Sequence, residues 1–249
     1  MSKKWILLLA ALAPSSAMAQ TQSQWDYSAT MYGWFPGVTT SVATPLGTVE
    51  SEVGFDEIFD HLDLAFLGAV EARKGRLTLA GDLQYFDVGA EAKPPVGAPT
   101  ATAEVDSKML VFGAYAAYAV VDQPDLRFDL GAGLRYIDAS FEAKLNGQGS
   151  APATAFQRDG GWTDGIIAAR VQRQFNARWF GVAYADVGGF GVGDSSDLTW
   201  QAFAGAGYRI NDKWSAFGGY RHLSVEREFK GFDVTSEVSG PFLGAQVKF

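Results

Sequence analysis

Hydrophobic and polar side chains alternate residue by residue along several stretches of the chain. The clearest stretch is residues 126–136, LRFDLGAGLRY, in which leucine and aromatic side chains occupy one face while arginine, aspartate and glycine occupy the other. Residues 76–86 (RLTLAGDLQYF) and 197–210 (DLTWQAFAGAGYRI) follow the same scheme. A period of two is typical of β-strands that have one apolar and one polar face. The pattern therefore predicts an all-β fold.

Counting such segments along the chain gives ten predicted strands. They cover residues 25–35, 64–73, 76–89, 105–121, 126–144, 162–174, 178–189, 197–210, 213–228 and 232–249. The segment VTTSVATPLGTVESEV (38–53) either forms a hairpin beyond these strands or joins them. We therefore predict ten strands, with eight and twelve as alternatives.

The links between predicted strands alternate between short and long. KG, DQPD, FNAR and NDK are tight turns rich in Gly, Pro, Asn and Asp, whereas residues 36–63, 90–104 and 145–161 form long links. Short turns at one end and long loops at the other are typical of an antiparallel up-and-down β-barrel of the bacterial outer membrane. The prediction is such a transmembrane barrel, with short periplasmic turns and long extracellular loops.

Alternation alone does not decide which face is inside, because a soluble barrel would turn its apolar face inward. Here the polar face mixes Gly, Ala, Arg, Asp and aromatic residues, and Trp and Tyr lie near the strand ends on the apolar face, as at a membrane interface. Turning the 126–136 strand over would place Arg127 and Arg135 in lipid, at a cost of up to about 2–4 kcal/mol for an arginine at the midplane. The charged face is therefore predicted to line the lumen.

The inward charged residues are the candidate functional set, either as an internal ion-pair network or as the lining of a narrow pore. In the 178–189 segment, Phe180, Val182 and Tyr184 look lipid-facing although Asp186 shares their parity, which predicts an interfacial or bulged position for Asp186. The predicted lumen-lining residues are Asp26, Glu71, Arg73, Asp82, Arg127, Asp129, Arg135, Asp164, Arg170, Arg209, Arg221 and Lys248.

The first residues have the layout of a secretory signal peptide. MSKKWILLLAALAPSSAMAQ contains two lysines, a short apolar run and an Ala-Met-Ala cleavage pattern, which predicts a signal peptide over residues 1–19 and one barrel domain over 20–249. The formal net charge is −8, which argues against nucleic acid as a partner. The chain has no cysteine, so disulfide and thiol chemistry are excluded.

The final segment, PFLGAQVKF, places Leu243, Ala245, Val247 and the terminal Phe249 on one face. A terminal aromatic residue gains nothing in water, so these side chains are predicted to face lipid while the last strand closes against the first.

The runs YGWFPGV, FDEIFDHLDLAFLGAVEARKGRL, DVGGFGVGDSSDLTWQAFAGAGYRI and GYRHLSVE, together with SGPFLGAQVKF, resemble proteobacterial outer-membrane β-barrel proteins of the opacity and surface-antigen group and small porin-like barrels. The resemblance implies the fold, an outer-membrane location and contact with membrane lipid and lipopolysaccharide. It also implies that Phe249 belongs to a signal read by the barrel assembly machinery. The group brings no catalytic residues, and we expect a monomer.

Enzyme chemistry has one candidate, the RHLS run, which places His222 and Ser224 on one face of the ninth predicted strand. Its spacing resembles the His-x-Ser of outer-membrane lipid A deacylases, but Val225 replaces the asparagine of that motif. His61 has no second histidine at metal-binding spacing, and GGFGVG (188–193) has no Lys-Ser/Thr after it as a phosphate loop would. The sequence therefore predicts no cofactor, no metal site and no enzyme activity.

Two functions are expected for such a barrel: a narrow porin-like channel or a passive structural or surface protein. The alternative is an outer-leaflet lipid A acyl hydrolase that uses His222 and Ser224.

Overall fold

The computed structural model describes residues 24–44, 47–92, 100–147, 154–229 and 232–249. The predicted signal peptide lies outside these residues. No helix in the described ranges is long and apolar enough to cross a membrane. The elements are β1 (Asp26–Trp34), β2 (Gly37–Thr44), β3 (Gly47–Val53), α1 (Phe55–Asp60), β4 (Leu62–Lys74), β5 (Leu77–Ala92), β6 (Thr100–Asp122), β7 (Leu126–Gly147), β8 (Thr154–Gln174), β9 (Trp179–Gly189), β10 (Leu198–Arg209), β11 (Trp214–Phe229) and β12 (Phe232–Lys248).

Ten antiparallel strands form a closed ring, which confirms the predicted fold. The order around the ring is β1, then β4 to β12 in sequence, and β12 pairs with β1 from Ser28↔Lys248 to Trp34↔Phe242.

The predicted hairpin is also present, and it stays outside the ring. β2 pairs with β12 between Gly37↔Ser239 and Val42↔Val234, and β3 pairs with β2. β3 is therefore an edge strand beside the barrel mouth.

The two ends of the barrel differ in their connections. At the end that we call the turn end, β4–β5, β6–β7, β8–β9 and β10–β11 are joined by the predicted tight turns. We call the other end the loop end. There, several strands extend into segments that were predicted to be loops. β5 reaches Ala92, β7 reaches Gly147 and β8 begins at Thr154, so the predicted loops over 90–104 and 145–161 are in large part strand.

The outer face carries an apolar band. Met31, Val70, Leu134, Ile167 and Leu243 point outward and are between 59% and 66% exposed. Exposed aromatic side chains flank this band. Tyr27, Tyr118, Trp179 and Trp214 lie toward the turn end, and Phe66, Phe112, Trp200 and Tyr220 toward the loop end. Along β10, Trp200 and Tyr208 are eight residues apart, which corresponds to about 26 Å of strand before tilt. This spacing suits the hydrocarbon core of an outer membrane.

The short helix α1 follows the β2–β3 hairpin, within the predicted 36–63 link. Gly54 precedes its first turn, where Asp56 and Glu57 lie. The ring of Phe55 packs edge-on against Phe35 at 5.3 Å between centroids. The helix therefore rests on the barrel rim beside the link between β1 and β2.

The orientation of β9 corrects the prediction from its sequence. Phe180, Val182 and Tyr184 line the lumen, and Asp186 is buried in it, because the β9–β10 register aligns them with the inward residues of β10. No bulge is needed to explain Asp186. The aromatic rings on this face fill space that inner-face glycines of neighbouring strands leave open. A Cβ on Gly207, for example, would lie 2.1 Å from Cζ of Phe180.

Candidate functional site: the barrel lumen

The turn-end half of the lumen contains a network of charged side chains, which we call the turn-side network: Glu71, Arg73, Arg127, Asp129 and Arg170. Asp129 is fully buried and accepts hydrogen bonds from Arg127 Nε at 2.8 Å and from Arg170 Nη2 at 2.9 Å. Arg170 also pairs with Glu71, whose other oxygen accepts a bond from Arg73 at 2.8 Å. The alternating charges satisfy one another across strands β4, β7 and β8.

Arg127 is anchored to the turns as well. Its Nη1 and Nη2 atoms donate to the carbonyls of Gly75 and Arg76, and Nη1 pairs with Asp122 at 3.1 Å. The guanidinium therefore ties the β4–β5 turn to the end of β6, which positions the rest of the turn-side network.

A second chain of polar side chains crosses the lumen toward the loop end. We call it the loop-side network: Asp82, Arg135, Asp186, Gln201 and Arg221. Arg135 is 1% exposed and binds both oxygens of Asp186, at 2.5 and 2.6 Å. Gln201 joins the two halves, since its Nε2 donates to Asp186 at 2.6 Å and its Oε1 accepts from Arg221 Nη2 at 2.6 Å.

The far end of this network reaches the opposite wall of the barrel. Arg221 donates to Asp82 at 3.2 Å and to the hydroxyl of Tyr32 at 2.9 Å, and Tyr32 donates to Asp82 at 2.6 Å. Arg221 also lies over the ring of Trp34, at 5.2 Å from its centroid. The loop-side network thus spans from β7 through β9, β10 and β11 to β1 and β5.

Buried apolar side chains fill the space beside the loop-side network. Sequence reasoning did not find this lumenal apolar cluster, which consists of Trp34, Leu67, Leu223, Val238 and Phe242, each at most 7% exposed. Trp34 Nε1 donates to the carbonyl of Gly240 at 3.2 Å, so the one polar group of the ring is satisfied. The lumen near the loop end is therefore packed like the core of a soluble domain.

Asp164 has a different role from the other predicted lumen residues. Its carboxylate accepts hydrogen bonds from the backbone N–H of Ser196 at 2.7 Å and from the Ser196 hydroxyl at 3.0 Å. The same hydroxyl accepts a bond from Trp162 Nε1 at 2.7 Å. Asp164 thereby holds the β9–β10 loop, in which Phe190 adopts a left-handed backbone conformation (φ 65°), against the barrel mouth.

Three predicted lumen residues lie outside these networks, at the turn end. Asp26 and Lys248 are exposed there. Arg209 donates to the carbonyl of Ala177 at 2.9 Å and to Gln174 at 3.0 Å, which fastens the β8–β9 turn to β10.

Among the cavities that described residues border, we consider two within the barrel. The central cavity has a volume of about 210 Å³ and is lined mostly by carbon atoms, including the rings of Tyr115, Tyr184, Phe203 and Phe217. The turn-side cavity has a volume of about 260 Å³ and is lined mostly by polar groups. Both are bordered by Glu71, Gln172, Phe180 and Gln246, so the two cavities are neighbours.

The predicted catalytic pair is not assembled. Among the described residues, no hydrogen bond joins His222 to Ser224, whose side chain is buried. The Nδ1 atom of His222 lies instead 2.5 Å from Oγ of Ser239, its cross-strand partner on β12, and the imidazole packs on Trp200 at 4.5 Å between centroids. Nε2 of His222 has no hydrogen-bond partner within the described ranges, so no described carboxylate orients the ring. Only the strand register could have identified Ser239.

The loop histidine and the first-loop carboxylates do not assemble a metal site. Nδ1 of His61 lies 2.8 Å from the carbonyl of Glu57, one turn earlier in α1. Within the described ranges, no three His, Cys, Asp or Glu side chains come together closely enough to hold a metal ion.

Phe249 ends the chain on the outer face. Its side chain is 75% exposed, and its backbone N–H donates to the carbonyl of Tyr27 at 3.0 Å, which extends the β1–β12 seam by one bond. Its role as an assembly signal stays a prediction.

No family model and no curated protein sequence matches the chain. Solved structures do match it. The outer-membrane protease OmpT from Escherichia coli superposes with a TM-score of 0.54 at 10% identity, over 94% of this chain and 100% of that one. The translocator domain of the autotransporter NalP from Neisseria meningitidis gives a TM-score of 0.44 at 14% identity, over 91% of this chain and 89% of that one. The neisserial surface protein NspA gives a TM-score of 0.33 at 15% identity, over 90% of this chain and 97% of that one. The chain therefore has the fold of the bacterial outer-membrane β-barrel proteins.

Proposed function

We propose that this protein is a surface barrel of the outer membrane that acts through the sheet it raises at its loop end and does not pass solutes through its lumen. The raised sheet consists of β2, β3 and the loop-end halves of β11 and β12. The observation that carries the proposal is the filling of the lumen by the loop-side network and the lumenal apolar cluster.

Small barrels with interiors filled by side chains have no continuous water path, unlike the larger porins. Here the interior side chains are also held firmly, since Arg135 and Arg221 each make several charge-assisted hydrogen bonds in a buried environment. Opening a path would require either the rings of the lumenal apolar cluster to be displaced or the network to break, and the latter would leave buried charges unpaired at a cost of several kcal/mol. Thermal fluctuation seldom supplies such an energy, so the barrel is a closed scaffold.

The raised sheet is where the barrel offers contacts. β3 pairs on one edge only within the described residues, and five carboxylates on β3 and α1 are exposed: Glu50, Glu52, Asp56, Glu57 and Asp60. In the described part of the chain, His222 and Ser224 do not form a catalytic pair, and the proposal assigns no enzyme activity.

Single-channel recording tests the closed lumen. The refolded protein is expected to give no conductance steps in a planar bilayer at any salt concentration. The double variant Trp34→Ala/Phe242→Ala, which removes two rings of the lumenal apolar cluster, is expected to give steps that grow with salt. Phe66→Ala removes an aromatic ring that is 47% exposed on the outer face and serves as the matched silent control. Salt-dependent steps from the unaltered protein would overturn the proposal in favour of a narrow channel.

A further inference from the structure

The central cavity has the size and lining of a ligand site. A cavity of about 150 Å³ lined by aliphatic and aromatic side chains is large enough to hold benzene. At about 210 Å³, the central cavity has room for a molecule of one to two fused rings. Binding sites for small molecules are commonly concave spaces of this kind, mostly apolar with a few polar groups.

The walls favour a flat aromatic molecule. Tyr184 and Phe203 are stacked at 5.1 Å between centroids, and Tyr115 lies 5.5 Å from Tyr184. Together these rings form a continuous aromatic surface on one side of the cavity. A planar guest that lies against them gains both apolar burial and ring-to-ring contacts, which are worth about 0.5–1.5 kcal/mol for each aromatic pair beyond the area buried.

The charges around the cavity favour a neutral guest. Glu71 is paired with Arg73 and Arg170, Asp82 with Arg221, and Arg135 with Asp186. A charged ligand would find no unpaired counter-charge among them and would lose its hydration shell on entry.

A few polar groups remain to orient such a guest, and one of them is Oε1 of Gln84, which is buried without a hydrogen-bond partner among the described residues. The hydroxyl of Tyr115 makes no hydrogen bond within the described part of the chain, and Nε2 of Gln246 makes only a long one, 3.4 Å to Thr30. The Tyr115 hydroxyl and the Gln84 oxygen can accept a hydrogen bond from an N–H or O–H group of a ligand, whereas Nε2 of Gln246 can only donate one to a ligand oxygen.

Access is expected from the turn end. The loop-side network and the lumenal apolar cluster fill the lumen toward the loop end, whereas Glu71, Gln172, Phe180 and Gln246 border both the central and the turn-side cavity. From these observations we propose that the central cavity binds a small, neutral, aromatic molecule with one hydrogen-bonding group, which enters from the turn end.

Two glycines make a matched pair of variants for the test. Gly113 lines the central cavity, and a Cβ built there meets no atom within 4 Å, so Gly113→Leu places a side chain in the cavity. Gly165 is equally unobstructed but lies on the outer face beside Ile167, so Gly165→Leu adds the same group on the lipid side. Ala80→Leu fills the cavity from β5 and replaces Gly113→Leu if that variant does not refold.

The probe is 5-fluoroindole, observed by ¹⁹F NMR with the protein in phospholipid nanodiscs and with empty nanodiscs to subtract partitioning into lipid. The unaltered protein is expected to bind the probe saturably. The affinity of Gly165→Leu is expected to lie within twofold of that value, and the cavity-filling variant is expected to bind at least tenfold more weakly. The anion 4-fluorobenzoate is expected not to bind. The proposal is overturned by the absence of saturable binding, by equal affinity in the cavity-filling variant, or by equal affinity for 4-fluorobenzoate.

Discussion

Replacing Asp129 with alanine is expected to lower the free energy of unfolding by about 3–5 kcal/mol, because removing one partner of a buried ion pair leaves the other charge uncompensated. Asp129 is fully buried between Arg127 and Arg170, and all its described contacts are to these two guanidiniums. Without Asp129, the three guanidiniums of Arg73, Arg127 and Arg170 share two carboxylates, those of Glu71 and Asp122, so one positive charge is left uncompensated. The effect is measured by urea unfolding of the refolded barrel in lipid vesicles, followed by tryptophan fluorescence.

Asp125→Ala is the matched control for this experiment. Asp125 also pairs with an arginine, Arg173, but at 3.9 Å and with both side chains 59% exposed. Exposed pairs of this kind contribute at most about 1 kcal/mol. Equal losses for the two variants would contradict the assignment of Asp129 to a buried network.

Gly133→Ala is expected to destabilise the barrel by about 1–3 kcal/mol or to prevent refolding, because the added methyl group overpacks the seam between β6 and β7. A Cβ on Gly133 would lie 2.1 Å from the carbonyl oxygen of Ala114 and 2.6 Å from Cα of Tyr115. Both are backbone atoms of the neighbouring strand, which cannot rotate away as the end of a side chain can. The measurement is the urea midpoint of the refolded protein, together with the yield of folded protein on unheated gels.

Gly113→Ala is the control for the glycine variant, since Gly113 lies on β6 with open space at its Cβ position. It is expected to fold with a stability within about 1 kcal/mol of the unaltered protein. If Gly113→Ala and Gly133→Ala behave alike, the close approach of β6 and β7 is not what requires a glycine at position 133.

The alternation of hydrophobic and polar residues is enough to predict the strands and, for most of them, which side chains face the lumen and which face lipid. In β7 the charged residues and leucines separate by parity, because lipid and lumen impose opposite polarities on successive residues. The structure places Arg127, Asp129 and Arg135 inside and Leu130 and Leu134 outside, as that parity requires. The β2–β3 hairpin was one of two open alternatives, and its pairing with β12 beyond the ring depends on register, which the sequence does not reveal.

The facing of β9 was predicted wrongly for a physical reason. Phe180, Val182 and Tyr184 are apolar or aromatic, and hydrophobicity does not distinguish a lipid-facing side chain from one packed in an apolar interior. The signal that was present is Asp186, which shares their parity and needs a buried partner, Arg135, across the lumen. Gly207 on the inner face of β10 leaves the space that the ring of Phe180 occupies.

The lumenal apolar cluster escaped prediction for the same reason. Trp34, Leu67, Leu223, Val238 and Phe242 come from four strands that are distant in sequence, and their contact requires the ring to close between β1 and β12. The contact between His222 and Ser239 likewise requires the β11–β12 register. Side-chain chemistry could be predicted from the sequence, but its assembly across strands could not.

The proposed surface role depends on which end of the barrel faces outward, and cysteine labelling measures that directly. The natural chain has no cysteine, so each introduced thiol is unique. Glu52→Cys places one on the raised sheet, and Asp212→Cys places one in the turn between β10 and β11, both at exposed positions. Intact Gram-negative cells that express either variant are treated with a membrane-impermeant maleimide.

We predict that Glu52→Cys is labelled on intact cells and that Asp212→Cys is labelled only after the outer membrane is permeabilised. Labelling of Asp212→Cys alone on intact cells would show that the barrel is inserted the other way. Labelling of neither or of both variants on intact cells would contradict an outer-membrane barrel whose raised sheet alone faces the outside.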